Sequence, residues 1–218
     1  MKCIVTAGPT YEELDEVRRM TNFSTGALGS ALANYLVEQG HEVELLRGYY
    51  SACQIETKAQ KVQVFTTTND LSRRLKGLRS NRIQAVFHAA AVSDFTFGKI
   101  WRRAPGGKLS EIKSRKISTR GGTVLAELTP TPKIIGRLRG WFPKARLVGW
   151  KYELGGDRAS VIAQAGQQLK ENKTNACVAN GLAYGKGFGL VEGPGHCRHL
   201  PGKSALFKAL AEFIAQTF

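Results

Sequence analysis

The apolar residues of this chain come in short runs that alternate with longer amphipathic stretches, and that alternation restricts its folds severely. Seven runs read as strands: residues 2–7 (KCIVTA), 42–47, 62–67, 84–91, 123–128, 146–152 and 175–180. Five stretches carry helical spacing: 26–39, 69–79, 132–141, 158–172 and 203–216. Strands that alternate with helices form βαβ units, whose strands lie parallel and whose helices cover both faces. The expected fold is α/β: a doubly wound, mainly parallel, Rossmann-like sheet in one domain over 1–218. Residues 95–122 lack clear periodicity and are rich in Lys, Arg and Gly, so they read as a flexible flap. Asn69-Asp70 offers an N-cap to one helix, and Pro132 suits the first turn of another.

One interval breaks the rhythm. Between the first strand and the first helix lies GPTYEELDEVRRMTNFST, eighteen residues from 8 to 25. Such connections usually run about 2–6 residues, and longer ones tend to be functional. In an open parallel sheet, ligands bind outside the carboxyl ends of the strands, where the strand order reverses. This loop leaves such an end.

The loop closes with NFSTG. Ser24 or Thr25 can cap the following helix, while Gly26 and Gly29 allow close backbone approach. A helix N-terminus attracts anions, so Ser24, Thr25 and Gly26 are candidate phosphate contacts. There is no GxGxxG and no Walker lysine. Asn22 precedes the cap with a side chain that both donates and accepts, though a turn role is equally open. The fourth strand runs AVFHAAAVSDF. Ala89, Ala90 and Ala91 leave room at its end, and Asp94 stands at its exit. Close helix packing, with Asp94 as a cap, is the plainer alternative. Trp150 ends a later strand and is either core or a surface for a nucleotide base. Glu153 beside it either orients a ligand or is solvated. Gly195-His196-Cys197-Arg198-His199 has no second ligand cluster and reads as a turn, so no metal site is expected.

Net charge is +15, from 32 Lys+Arg against 17 Asp+Glu. Residues 99–120 hold eight basic residues and one acid, Glu111. A second cluster, SRRLKGLRSNR (72–82), reads as a solvated helix face. Such balance attracts polyanions. No helix-turn-helix, aromatic RNA-binding or zinc pattern is present, so nucleic acid is not the expected partner. No apolar run approaches the ~20 residues of a membrane span, and none resembles a signal peptide. Cys3, Cys53, Cys177 and Cys197 form no CxxC pair, which fits a reducing, cytoplasmic setting.

TAGPTYEELDEVRRMTNFSTG, HAAAVSDF, RKISTRGG, LTPTPKII, LVGWKYE and VAN occur in order over nearly the whole chain. Together they resemble phosphopantothenoylcysteine synthetase (phosphopantothenate–cysteine ligase), often fused in bacteria to a flavin-dependent decarboxylase. The decarboxylase half is missing from this sequence, so no flavin is expected, and a separate phosphopantothenoylcysteine decarboxylase is a candidate partner. The resemblance implies that 4′-phosphopantothenate and L-cysteine are joined through an acyl-nucleotide, with CTP or ATP as co-substrate, Mg²⁺, and a homodimer. By resemblance, Asn22 contacts the activated intermediate and Lys116 is the catalytic flap lysine. Ala89, Ala90, Ala91, Asp94, Pro132, Lys133, Ile134, Ile135 and Trp150 line the nucleotide.

The sequence also departs from the family. CTP-using members carry two lysines on the helix before the last core strand; here Gln168 and Asn172 stand there, with Lys170 and Lys173 beside them. The VAND motif becomes VANG, with Gly181 replacing the acid. Both nucleotides stay open. The competing class is an NAD(P)-binding oxidoreductase of the same sheet, against which stands the missing glycine fingerprint after the first strand.

Overall fold

A computed structural model describes residues 1–80, 82–118, 120 and 122–216. Asn81 of the second basic cluster, Thr119 and Gly121 of RKISTRGG, and positions 217 and 218 of the expected domain lie outside the described residues. The chain runs β1 (Lys2–Pro9), β2 (Tyr11–Glu13), β3 (Arg19–Thr21), α1 (Ala27–Glu38), β4 (Glu42–Gly48), β5 (Lys61–Phe65) and α2 (Thr68–Gly77). It continues through β6 (Ala85–Ala91), β7 (Phe95–Arg103), β8 (Leu109–Glu111), β9 (Thr123–Pro130), α3 (Ile135–Trp141) and β10 (Arg146–Tyr152). It ends with α4 (Arg158–Asn172), β11 (Ala176–Asn180), β12 (Phe188–Gly193), β13 (His196–Leu200) and α5 (Lys203–Ala215).

Among the described residues, eight strands form the central sheet in the order β13-β12-β11-β10-β6-β1-β4-β5. The strands from β11 to β5 in that order pair in parallel, and β12 and β13 add an antiparallel edge. From β1 the chain moves to β4 on one side, then returns to β6 on the other. The order therefore reverses between β1 and β6, the switch point at which open parallel sheets form a ligand crevice beyond the carboxyl ends.

Alternation along the strands divides the core between the two faces. Val5, Leu45, Phe87, Val148 and Val178 pack against α1 and α5 through Leu32, Leu36, Leu206, Leu210 and Phe213. Ile4, Leu46, Val86 and Leu147 pack on the opposite face with Leu71 and Leu75 of α2 and Leu138 of α3. In α1 the buried positions include Gly29, Leu32, Ala33 and Leu36, a helical stripe. At Gly29 a Cβ would lie 2.7 Å from the Ala7 Cβ. Glycine there lets α1 approach β1 closely.

Several expectations change in detail. Residues 123–130 do form a strand, β9, but outside the central sheet. It pairs antiparallel with β7, and β7 with β8, so the flap is a three-stranded antiparallel sheet. Neither face of β7 is fully buried, so no alternation marked it in the sequence. The long first loop contains the β2–β3 hairpin. Thr67, not Asn69, caps α2 by accepting from the Asp70 N–H at 3.2 Å. Helix α3 starts at Ile135, so Pro132 lies ahead of it; a proline also disfavours helical backbone at Thr131.

Candidate functional site

The crevice at the switch point is built from main chain and small side chains. Ala7, Gly8 and Pro9 of β1 stand opposite Ala89, Ala90 and Ala91 of β6. All three alanines are half-buried. Ala90 packs towards the α2/α3 face. Alternation puts Ala89 and Ala91 on the α1 face.

A polar hub locks the strand exits. The Thr10 N–H donates to the Ala91 carbonyl at 3.1 Å. The Ser93 N–H donates to Thr10 Oγ1 at 2.8 Å, and Thr10 Oγ1 donates to Ser93 Oγ at 3.1 Å. The Thr131 hydroxyl donates to the Ser93 carbonyl, and its N–H to the Asp94 carbonyl. Thr10, Ser93 and Thr131 are all buried. Buried polar groups must find partners, and here that need ties β1, β6 and the approach to α3 together. None of the three was singled out from sequence, because each reads as an ordinary turn residue.

Asn22 reaches this hub. Its Nδ2 donates to the Ala91 carbonyl at 3.1 Å, while Thr21 Oγ1 donates to the Thr10 carbonyl at 2.8 Å. The first loop is thus fastened to the end of β6 while the rest of Asn22 stays exposed. Beyond it, Phe23 lies fully in solvent. Gly26 is the N-cap of α1 with φ 76° and no side-chain cap bond. Thr25 Oγ1 accepts from the Ala27 N–H at 3.3 Å, and Ser24 is half-buried. The amino end of α1 adjoins the end of β1, where a Cβ on Gly26 would lie 3.2 Å from the Gly8 Cα, and among the described residues few acceptors meet its first N–H groups.

On the other side, Asp94 and Lys133 form an ion pair between two largely exposed side chains. Pro132 is exposed, whereas Ile134 is 1% exposed and belongs to the core; Ile135 is half-buried against it. Trp150 packs against the α1/α5 core, yet its buried Nε1 has no partner among the described residues. On the neighbouring strand, the buried Asn180 Oδ1 also has none. Both project from the same sheet face, because Trp150 pairs with Val178, two residues before Asn180. One donor and one acceptor thus end unsatisfied at the carboxyl edge.

Gln168 and Asn172 turn inward. Gln168 Nε2 donates to the Trp150 carbonyl at 3.3 Å, and Asn172 Nδ2 to the Gln168 carbonyl at 2.8 Å. Lys170 and Lys173 are exposed. Gly181 has φ 117°, and a Cβ there would stand 2.2 Å from the Glu153 carbonyl oxygen. This backbone admits glycine and not an acid. Glu153 pairs with Lys151 at 2.8 Å. Residues 195–199 span the β12–β13 turn and β13, and His199 Nδ1 lies 3.0 Å from the Tyr184 hydroxyl. Among the described residues, no three His, Cys, Asp or Glu side chains gather to hold a metal. None of the described helices is long and apolar enough to cross a membrane.

Lys116 is exposed, on a main-chain turn where Ser114 Oγ donates to its carbonyl at 2.6 Å. The segment around it is tied to the tip of the first loop. The Ile117 N–H donates to Asp15 Oδ2 at 3.0 Å, and Arg18 Nη1 donates to the Ile117 carbonyl at 3.0 Å. The Glu16 N–H donates to the Arg115 carbonyl at 3.0 Å. The Ile117 N–H, followed by those of Val17 and Arg18, holds the Asp15 carboxyl below the usual carboxylate range. One loop therefore touches both the end of β6 and the segment that carries Lys116.

Comparison with known proteins agrees with this architecture. The chain is 34% identical over 191 residues to the coenzyme A biosynthesis bifunctional protein CoaBC of Thermococcus kodakarensis, covering 88% of this chain and 43% of that protein. It is 30% identical over 223 residues to the protein of the same name from Bacillus subtilis, covering 97% and 50%. The chain thus spans half or less of the length of these curated relatives. Among solved structures, the DNA/pantothenate metabolism flavoprotein from Streptococcus pneumoniae superposes with a TM-score of 0.85 at 27% identity, over 98% of each chain. A Cab2 mutant in complex with phosphopantothenate-cysteine shares the fold, with a TM-score of 0.69 at 21% identity over 98% of this chain and 87% of that one. A family model for the DNA/pantothenate metabolism flavoprotein C-terminal domain matches residues 1–195, and the chain belongs to that family.

Proposed function

We propose that this chain is a nucleoside-triphosphate-dependent ligase that joins 4′-phosphopantothenate to L-cysteine, in coenzyme A biosynthesis. The observation that carries the reading is the double attachment of the first loop. Through Asn22 it meets the alanine-lined strand end at Ala89–Ala91, and through Asp15 and Arg18 it meets the flap around Lys116. The names of the relatives and the ligand of the Cab2 complex supply the substrate class.

In the first step a substrate carboxylate oxygen attacks the α-phosphorus, a P–O bond breaks and pyrophosphate leaves. In the second, the cysteine amine attacks the acyl carbon. The C–N bond forms, the nucleoside monophosphate departs, and the amine gives up its proton. The protein must neutralise a triphosphate and keep water from a mixed anhydride. The amino end of α1, with Ser24, Thr25 and Gly26, suits the substrate phosphate. Lys116 brings its ammonium to the developing phosphate charge, and the Asn22 amide orients the acyl group. Trp150 Nε1 and Asn180 Oδ1 offer a donor and an acceptor to a nucleobase. Mg²⁺ is expected to arrive with the triphosphate. No carboxylate cage gathers among the described residues, so its ligands would be phosphate oxygens and water, with Asp94 the acid at the crevice. A homodimer and a separate decarboxylase partner belong to the same proposal.

The test omits cysteine. Protein incubated with 4′-phosphopantothenate, Mg²⁺ and CTP or ATP should accumulate an acyl-nucleotide visible by mass spectrometry. Adding cysteine should discharge it. Neither nucleotide giving an adduct, with stabilisation by NADPH instead, would favour the redox class.

A further inference from the structure

We propose that Asp15 is a positioning residue that latches the Lys116 segment to the first loop, so that flap and loop act as one unit. Asp15 lies in the turn of the β2–β3 hairpin, between Glu13 and Arg19. Its side chain is 1% exposed. Its two oxygens have different tasks. Oδ1 accepts from the N–H groups of Val17 at 3.0 Å and Arg18 at 2.7 Å, which builds the turn. Oδ2 accepts from Arg18 Nη1 at 2.8 Å and from the Ile117 N–H, 102 residues away in the chain, at 3.0 Å. Arg18 Nη1 also reaches the Ile117 carbonyl at 3.0 Å, so both main-chain groups of Ile117 are held by the loop.

The orientation of Lys116 follows from this grip. Ile117 is 4% exposed, whereas Lys116 and Ser118 on either side are exposed. Pinning residue 117 inward turns residue 116 outward. The nearby Arg115–Glu16 pair is different: its side chains are 88% and 59% exposed, so solvent screens it. The carboxylate, not the surface pair, is the latch.

Chemistry makes the claim sharp. In Asp15→Asn the side-chain oxygen can still accept from Val17 and Arg18, so the turn survives. The amide nitrogen then faces the Ile117 N–H and the Arg18 guanidinium, donor against donor. An almost isosteric change keeps the turn and breaks the latch.

The kinetic arm of the test rests on the ligase reading; the exchange arm does not. In Asp15→Asn the Ile117 amide should exchange with solvent at least about tenfold faster, with the core amides unchanged. Turnover should fall at least about tenfold, chiefly in kcat, because Lys116 is no longer held where charge develops. In a Lys116→Ala background the same change should cost little more, since both substitutions remove one device. Glu16→Gln should leave exchange and turnover near wild type. Wild-type exchange at Ile117 in Asp15→Asn would overturn the latch whatever reaction the protein performs. Faster exchange with undiminished turnover, or an equal loss in the Lys116→Ala background, would overturn its link to Lys116. If Asp15→Asn does not fold, Arg18→Gln removes the other half of the grip and is read by the same criteria.

Discussion

The Asn22 side-chain amide donates to the Ala91 carbonyl at 3.1 Å, and the same carbonyl accepts from the Thr10 N–H at 3.1 Å. The long excursion that leaves β1 after Pro9 thereby returns to the strand beside β1. The bond orders Asn22 at the mouth of the crevice, and among the described residues no hydrogen bond occupies its side-chain oxygen, which suits a ligand N–H or hydroxyl.

Asn22→Asp tests that bond. A carboxylate cannot donate to Ala91, and it brings negative charge to a site proposed for phosphates. Losing a hydrogen bond and adding that repulsion should together remove about 2 kcal/mol or more, some thirtyfold in kcat/KM. Thermal stability should barely change, because Asn22 is exposed. Steady-state kinetics alongside a melting curve measure both.

Lys116 and Lys113 separate a positioned charge from a diffuse one. Both are exposed on the flap, but only Lys116 neighbours the residue gripped by Asp15 and Arg18. A screened surface charge is worth well under ~1 kcal/mol, whereas a group placed on transition-state charge is worth ~3–4 kcal/mol. Lys116→Ala should lower kcat/KM at least about a hundredfold, and Lys113→Ala less than about tenfold. Equal, small losses at one salt concentration would mean that the flap acts only through its overall charge.

His88 predicts a pH dependence. It is buried beneath the crevice with Nδ1 2.9 Å from Thr6 Oγ1, and burial pushes its imidazole from 6.5 down to about 4. A depressed histidine means that the unfolded chain binds the proton more readily. Its contribution is complete above about pH 6.5 and is lost as pH falls towards 4, roughly 3 kcal/mol across that window. His41, also lowered by burial, adds in the same direction. Urea unfolding of wild type and His88→Gln between pH 7 and 4.5 should show a shallower slope in the variant. Parallel slopes would mean that the buried imidazole is not the titrating group.

The nucleotide prediction follows from α4. Gln168 and Asn172 bond back into the protein, so two point charges used by CTP-dependent members of the resembled family are missing from those places. Exposed basic residues of the flap are available instead. ATP should therefore support turnover at least comparably with CTP. A kcat/KM for CTP about a hundredfold above that for ATP would contradict this.

Much of the fold was legible because buried parallel strands and amphipathic helices carry strong periodic signals. The residues 146–152 and 158–172 expected from sequence match β10 and α4 to the residue. The flap sheet left no such trace: β7 buries no complete face, and β8 is three residues long. The β12–β13 hairpin was hidden by glycines at 189, 193 and 195, which interrupt any alternation. At the site, the loop, the alanines and the α1 amino end could be read from residue type. Asp15, Thr10, Ser93 and Thr131 could not, because their roles arise from contacts with distant residues such as Ile117 and Ala91. Ile134 shows the converse, a residue carried over from a motif whose side chain lies in the core.

The central claim is best tested by pyrophosphate release from purified protein supplied with 4′-phosphopantothenate, L-cysteine, Mg²⁺ and either CTP or ATP. The account predicts one pyrophosphate for each phosphopantothenoylcysteine formed, with release that depends on the pantothenate carboxylate. Silence with both nucleotides, from protein shown to be folded, would contradict it.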